Sequence, residues 1–351
     1  MNTPDYSVLD EALEMLSDYG PEFGGGLSNH GPMASEAICA MGRRDSVLRW
    51  VEKYRKQLNS RVATREKITQ SNWREALGHF RRTGDWSAFF DNELKERPWN
   101  EVVQQWVERL SPGLISAAAH GAIRTGHATR SIAIEDTAHR RRELCDALGY
   151  WAAVYNVLPG KKRARGSEMP SAAIKRVEVI PREARGGNFA SLDAALKQLD
   201  GFKPFDDTLS IVDTTADPSA FVSDLTATFA RVFLANAHDM LTAIAFVHAV
   251  TGPAATRPIL PYLRRDAIPP TLGYAWQASV ALYSTFSRSS AAKVKNSAVA
   301  ISDDELIDRA IASADEHAIK FTEVCLREDR LNSDAAYRAA SLHAINLLSQ
   351  G

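Results

Sequence analysis

Nine histidines are spread along the 351-residue chain, and five of them lie among small or apolar neighbours. His30 ends a glycine-rich approach, Phe23-Gly-Gly-Gly-Leu-Ser-Asn-His-Gly-Pro-Met33. His120 and His127 share the stretch Ala119-His-Gly-Ala-Ile-Arg-Thr-Gly-His-Ala-Thr-Arg130. His248 falls in Phe246-Val-His-Ala-Val-Thr-Gly-Pro253, and His317 in Asp315-Glu-His-Ala-Ile-Lys320. His79 and His139, by contrast, have strongly polar neighbours. Neutral imidazole ligates iron, zinc, copper or nickel, so buried histidines raise the prospect of a metal site. A spacing of seven residues puts His120 and His127 on one helical face with Arg124 between them, but roughly 10 Å apart along the axis. A single ion with metal–nitrogen distances of about 2 Å cannot take both from a straight helix. His317 and Lys320, separated by about 4.5 Å of helical rise, suit one ion or one hydrogen-bonded pair. A mononuclear site would therefore draw single histidines from several helices, as helical bundles do.

Each of these residues also has a plainer reading. A lone histidine on an apolar helix face is commonly a hydrogen-bonded core residue. Lys320 is spaced for surface ion pairs with Glu316 and Glu323. Arg124 fits a structural clamp as well as a ligand for a substrate carboxylate or phenolate. Spacing alone leaves these alternatives open.

The elements that would position such a site are helical. Leu9, Leu13 and Leu16 form one apolar stripe, and Val47, Val51, Tyr54 and Leu58 another. Pro98 leads an apolar face through Val102, Val103, Trp106, Val107 and Leu110, and Ser111-Pro112 predicts a further helix start running through His120. Helices are also expected over Glu143–Val157, Pro218–Val250, Leu272–Phe286, Asp303–Arg330 and Ala335–Leu348. The best strand candidate is short, Arg176–Pro181. The fold class expected is all-α, one multi-helix domain over 1–351, with a loop insertion at 160–190 and a Ser/Ala/Lys-rich loop at Ser287–Ala300.

Composition narrows the classes of function. With 42 Lys+Arg against 43 Asp+Glu there is no cationic surplus to displace counterions from phosphate, so no nucleic-acid partner is expected. Cys39, Cys145 and Cys325 are sparse and odd in number, which is not a disulfide framework. No window approaches the roughly 18–20 apolar residues of a spanning helix. Met1–Asp10 lacks the basic and apolar regions of a signal peptide, so a cytoplasmic location without membrane partners is expected. Phe23-Gly24-Gly25-Gly26 is not a dinucleotide fingerprint, and no P-loop, HExxH or GxSxG occurs. Redox chemistry would then need a metal or a diffusible cofactor such as NADPH, for which the chain has no binding motif.

Five segments together resemble the questin oxidase-like family: Asn29–Met33, Ala118–Arg130, Glu143–Ala153, His248–Gly252 and Glu316–Glu328. The likeness runs in order along nearly the whole chain and is weakest around 160–190. It implies oxidative cleavage of an aromatic polyketide ring of the anthraquinone type. It further implies non-haem Fe(II) held by histidines and a carboxylated lysine, with O2 as co-substrate. Transferred by motif, the metal ligands are His30, His120, His248, His317 and a carboxylated Lys320. His127 is the alternative fourth histidine, otherwise an acid/base, and Arg124 a residue that steadies anionic oxygen. Tyr150, Trp151, Trp276 and Phe246 are apolar walls for a planar aromatic substrate, or ordinary core. A dioxygenase is the expectation; a monooxygenase would draw on NADPH. The competing readings are a zinc hydrolase on the same ligands and a non-catalytic helical small-molecule binder. Oligomeric state is not legible.

Overall fold

A computed structural model describes residues 3–161, 166–186, 189, 191–288 and 299–349. Among them the regular structure is helical apart from one two-stranded hairpin, an all-α architecture. The chain gathers into two compact units, Met1–Asn156 with Pro258–Arg264, and Val157–Arg257 with Arg265–Gly351.

In the first unit, α1 (Leu9–Leu16) buries the leucine stripe expected of it. The hairpin β1 (Glu22–Phe23) and β2 (Leu27–Ser28) turns through Gly24, Gly25 and Gly26, with φ of 55°, 85° and 124°, a left-handed path that glycine adopts without penalty. There follow α2 (Gly31–Ala40), α3 (Arg44–Tyr54), α4 (Trp73–Ala76), α5 (Thr83–Glu96) and α6 (Trp99–Leu110). Next come α7 (His120–Ile134) and α8 (Ala138–Ala153), and α8 packs on both α5 and α7. Trp73, Trp86, Phe89, Phe90 and Trp106 interlock with ring centroids 4.9–5.7 Å apart, a large apolar burial for this unit. The helix expected to restart at Ser111-Pro112 is only a 3-10 turn, Ser111–Gly113. Ala117, Ala118 and Ala119 then take left-handed φ values, which a right-handed helix cannot contain, so α7 begins at His120.

The second unit holds α9 (Pro170–Ala173), α10 (Leu192–Leu196), α11 (Pro218–Asn236), α12 (Met240–Ala254) and α13 (Ile268–Phe286). It continues with α14 (Asp303–Ala312), α15 (Glu316–Leu331) and α16 (Ala335–Leu348). The helix expected over Pro218–Val250 is two. Asp239 forms a capping box with Thr242 that starts α12 afresh. The one expected over Asp303–Arg330 breaks at Ala314, whose φ is 59°, and Asp315 caps α15 through the Ala318 N–H at 2.8 Å. Arg176–Pro181 forms no strand. Its Ile180 N–H goes to the Ser284 carbonyl (2.8 Å), and the Ser284 hydroxyl returns a bond to the Glu178 carbonyl (2.8 Å), so α13 takes the ladder's place. Parts of the two expected loops, 162–165 and 289–298, lie outside the described residues. Cys39, Cys145 and Cys325 are buried free thiols. Among the described residues no helix is long and apolar enough to cross a membrane.

Candidate metal centre

His30 is placed by the sequence that precedes it. Asn29 donates to the Gly20 carbonyl (2.8 Å) and accepts from the Gly31 N–H (2.9 Å), which ties the hairpin to the first turn of α2. The His30 N–H, left over at this helix start, is received by the Tyr54 hydroxyl of α3 at 2.8 Å. His120 opens α7, and its Nδ1 lies 2.5 Å from the Ala117 carbonyl oxygen. A carbonyl can only accept, so Nδ1 carries the proton and Nε2 keeps its lone pair. The Nε2 atoms of His30 and His120 are 2.5 Å apart, with the rings stacked at 4.6 Å. Nitrogens that close repel unless a proton or a cation lies between them.

The same two helices carry a charged network. Glu36 of α2 is buried and receives the Tyr6 hydroxyl (2.8 Å), the His127 Nδ1 (2.6 Å) and two guanidinium nitrogens of Arg130 (2.6 and 2.5 Å). Burial alone would raise its pKa, but Arg130 and His127 outweigh burial and hold the carboxyl well below the usual carboxylate range. His127 is thus held through Nδ1 by a carboxylate. Arg124 commits Nε and Nη2 to the two oxygens of Glu143 on α8, 2.7 Å each, the arrangement of a buried clamp. Tyr150, Trp151, Trp276 and Phe246 are all buried. Tyr150 shares hydrogen bonds with Ser28 and Glu22, and the Trp151 indole donates to the Gly113 carbonyl.

His248 sits on α12, where its Nδ1 is 2.7 Å from the Ile244 carbonyl, which again leaves the lone pair on Nε2. Its ring meets that of His317 edge-on, with centroids 5.3 Å apart. Burial, then the charge of Lys320, lowers the His248 pKa to about 3, so this imidazole is neutral as a metal ligand must be. Lys320, one turn beyond His317 on α15, is 1% exposed, and its Nζ has no hydrogen-bond partner. It forms no surface ion pair. Burial brings its pKa down to about 8. Asp315, the cap of α15, is pushed up to about 6 by burial and then by Glu316.

His30 and His120 stand together in the first unit and His248 and His317 together in the second; all four are buried, and imidazoles so placed could hold a metal ion. His127 turns its Nδ1 to Glu36. A family model described as questin oxidase-like matches residues 27–325. The chain belongs to the questin oxidase-like family. That membership implies an oxidoreductase, with an oxidase acting on a small polyketide-type molecule as the family's activity. No curated protein matches the chain. Sequence reasoning passed over Glu36, which holds both His127 and Arg130. The available signal was a single acid inside the apolar run Ala34-Ser-Glu-Ala-Ile-Cys39, because a buried acid is rarely tolerated without partners.

Proposed function

We propose that this questin oxidase-like protein is a non-haem Fe(II)-dependent oxygenase. In this reading it is a dioxygenase that uses O2 to cleave a ring C–C bond of an aromatic polyketide or quinone. The ligands assigned are His30, His120, His248 and His317 with a carboxylated Lys320. One observation carries the reading: a fully buried lysine nitrogen without a hydrogen-bond partner, one turn from the buried His317 on α15.

The donor set fits such an ion. Four neutral imidazoles leave a dication's charge uncompensated, and an ammonium would repel it. A neutral Lys320 amine can add to CO2: the N–C bond forms, one proton leaves, and the carbamate presents an anionic oxygen where a cation stood. The lowered Lys320 pKa makes the required neutral amine accessible. Iron held there would supply redox chemistry and Lewis acidity towards O2 and a phenolic oxygen.

The remaining residues do protein work. The carbonyls of Ala117 and Ile244 hold the Nδ1 protons of His120 and His248, fixing ring orientation. His127, its Nδ1 proton held by the ionised Glu36, accepts the substrate's phenolic proton at Nε2, and Glu36 steadies the imidazolium that results. Arg124, paired with Glu143, braces α7 against α8 instead of meeting the substrate. Inserting both oxygen atoms of O2 into the substrate balances electrons without NADPH; a monooxygenase outcome would need reducing equivalents from outside.

The test is metal analysis of protein purified without added metal, followed by oxygen uptake with a hydroxylated anthraquinone and isotopically labelled O2. Iron in a one-to-one ratio and both labelled atoms in the product are expected, without NADPH. Stoichiometric zinc and no oxygen uptake would point to the hydrolase, and a metal-free protein to a binder.

A further inference from the structure

Ala117, Ala118 and Ala119 have φ values of 48°, 55° and 68°, a run of left-handed alanines directly before His120. For residues other than glycine this region is penalised by the approach of Cβ to the following carbonyl, and such residues persist only where the surroundings over-determine them. The surroundings here do so on both sides. Before the run, the Trp151 indole donates to the Gly113 carbonyl (3.0 Å), the Asn156 N–H donates to the Ser116 hydroxyl (2.8 Å), and that hydroxyl donates to the Asn156 carbonyl (3.0 Å). After it, Gly121 lies so close to Trp151 that a Cβ would stand 2.6 Å from the Trp151 Cα. The C-terminal end of α8 and the residues just beyond it therefore grip the chain at both ends of the turn. The left-handed path between the grips brings the Ala117 carbonyl to 2.5 Å from His120 Nδ1.

We propose that Ala117–Ala119 is a positioning turn for His120: its strained backbone holds one carbonyl against Nδ1, so that the lone pair sits on Nε2 before any ligand arrives. Alanine suits this better than glycine because its left-handed well is narrow and the carbonyl direction is restricted. The affinity part of this inference rests on the metal-site reading above; the tautomer part concerns the metal-free protein and stands without it.

Two variants test it: the triple change Ala117→Gly, Ala118→Gly, Ala119→Gly, and the single change Ala118→Asn, since asparagine accepts left-handed φ while remaining restricted. The measurements, all on metal-free protein, are the His120 imidazole nitrogen shifts, the thermal unfolding midpoint and zinc(II) titration. In the triple variant the midpoint should not fall, because relief of strain offsets glycine's greater freedom when unfolded. His120 should nevertheless become a mixture of tautomers, and zinc should bind about tenfold more weakly. Ala118→Asn should keep the wild-type tautomer and affinity. The proposal is overturned if the triple variant keeps a single tautomer and full affinity, or if midpoint and affinity fall together in it. It is overturned equally if Ala118→Asn loses as much as the triple variant. Failure of the wild-type protein to bind zinc would count against the metal reading alone, with the tautomer shifts still deciding the turn.

Discussion

Around His30 and His120 the buried charges are answered: Glu36 by Tyr6, His127 and Arg130, and Glu143 by Arg124. Beside His248 and His317 the setting differs, because the buried Lys320 nitrogen has no hydrogen-bond partner. Elsewhere on α15 charge burial follows the ordinary rule, with Glu328 receiving Arg257 at 2.6 and 3.0 Å. A saturated network holds geometry, whereas an unanswered cation in the interior is costly and needs a purpose. The contrast separates the two regions: Glu36 and Glu143 are fully partnered, whereas the buried Lys320 nitrogen has no hydrogen bond.

The largest effect should come from breaking the saturated side. Glu36→Gln strands Arg130 and should cost about 3–5 kcal/mol of stability, measured by denaturant unfolding of metal-free protein. A cost below about 1 kcal/mol would show that the network is loosely coupled. Lys320→Met should act in opposite directions on two readouts. Metal affinity should fall about 100-fold, roughly 2.7 kcal/mol, while the metal-free protein becomes more stable for losing an unpaired buried amine. Unchanged metal binding would remove Lys320 from the site. Gly121→Ala forces a methyl group into Trp151 and should destabilise by about 1–3 kcal/mol, seen as a lower unfolding midpoint with α7 loosened from α8.

The smallest effect is a pH slope. The folded pKa of Lys320, about 8, lies below that of an unfolded lysine near 10.4. Between those values the unfolded chain holds the extra proton, so raising the pH through that window should stabilise the metal-free wild type relative to Lys320→Met. A flat difference across the window would mean that the amine is solvated. Glu36 has a linkage of the same sign in a more acidic window. Its depressed pKa contributes stability above the ordinary carboxylate range that is lost as the pH falls through the folded value.

Much of this was legible in the residues. Apolar stripes announced α1 and α3, and the small neighbours of His30, His120, His127, His248 and His317 marked those five as interior, where all five lie. What stayed hidden were local backbone decisions. Nothing in the apolar periodicity of Pro218–Val250 reveals that Asp239 and Thr242 close a capping box. Ser116-Ala-Ala-Ala-His120 reads as good helix, since alanine has the best intrinsic propensity, yet the grip of Trp151 and Asn156 overrides it. Arg176–Pro181 has the alternation of a strand but, among the described residues, no strand to pair with, and strand signals are only as good as the partner they find. Glu36 was obscured because its partners, Tyr6, His127 and Arg130, are distant in sequence.

The central claim is tested most directly by anomalous diffraction at the iron edge on crystals of protein loaded anaerobically with Fe(II) in bicarbonate. A single iron peak shared by the rings of His30, His120, His248 and His317 is expected, with extra density on Lys320 Nζ completing the coordination. An iron peak elsewhere, or no peak and an unmodified Lys320, would contradict it.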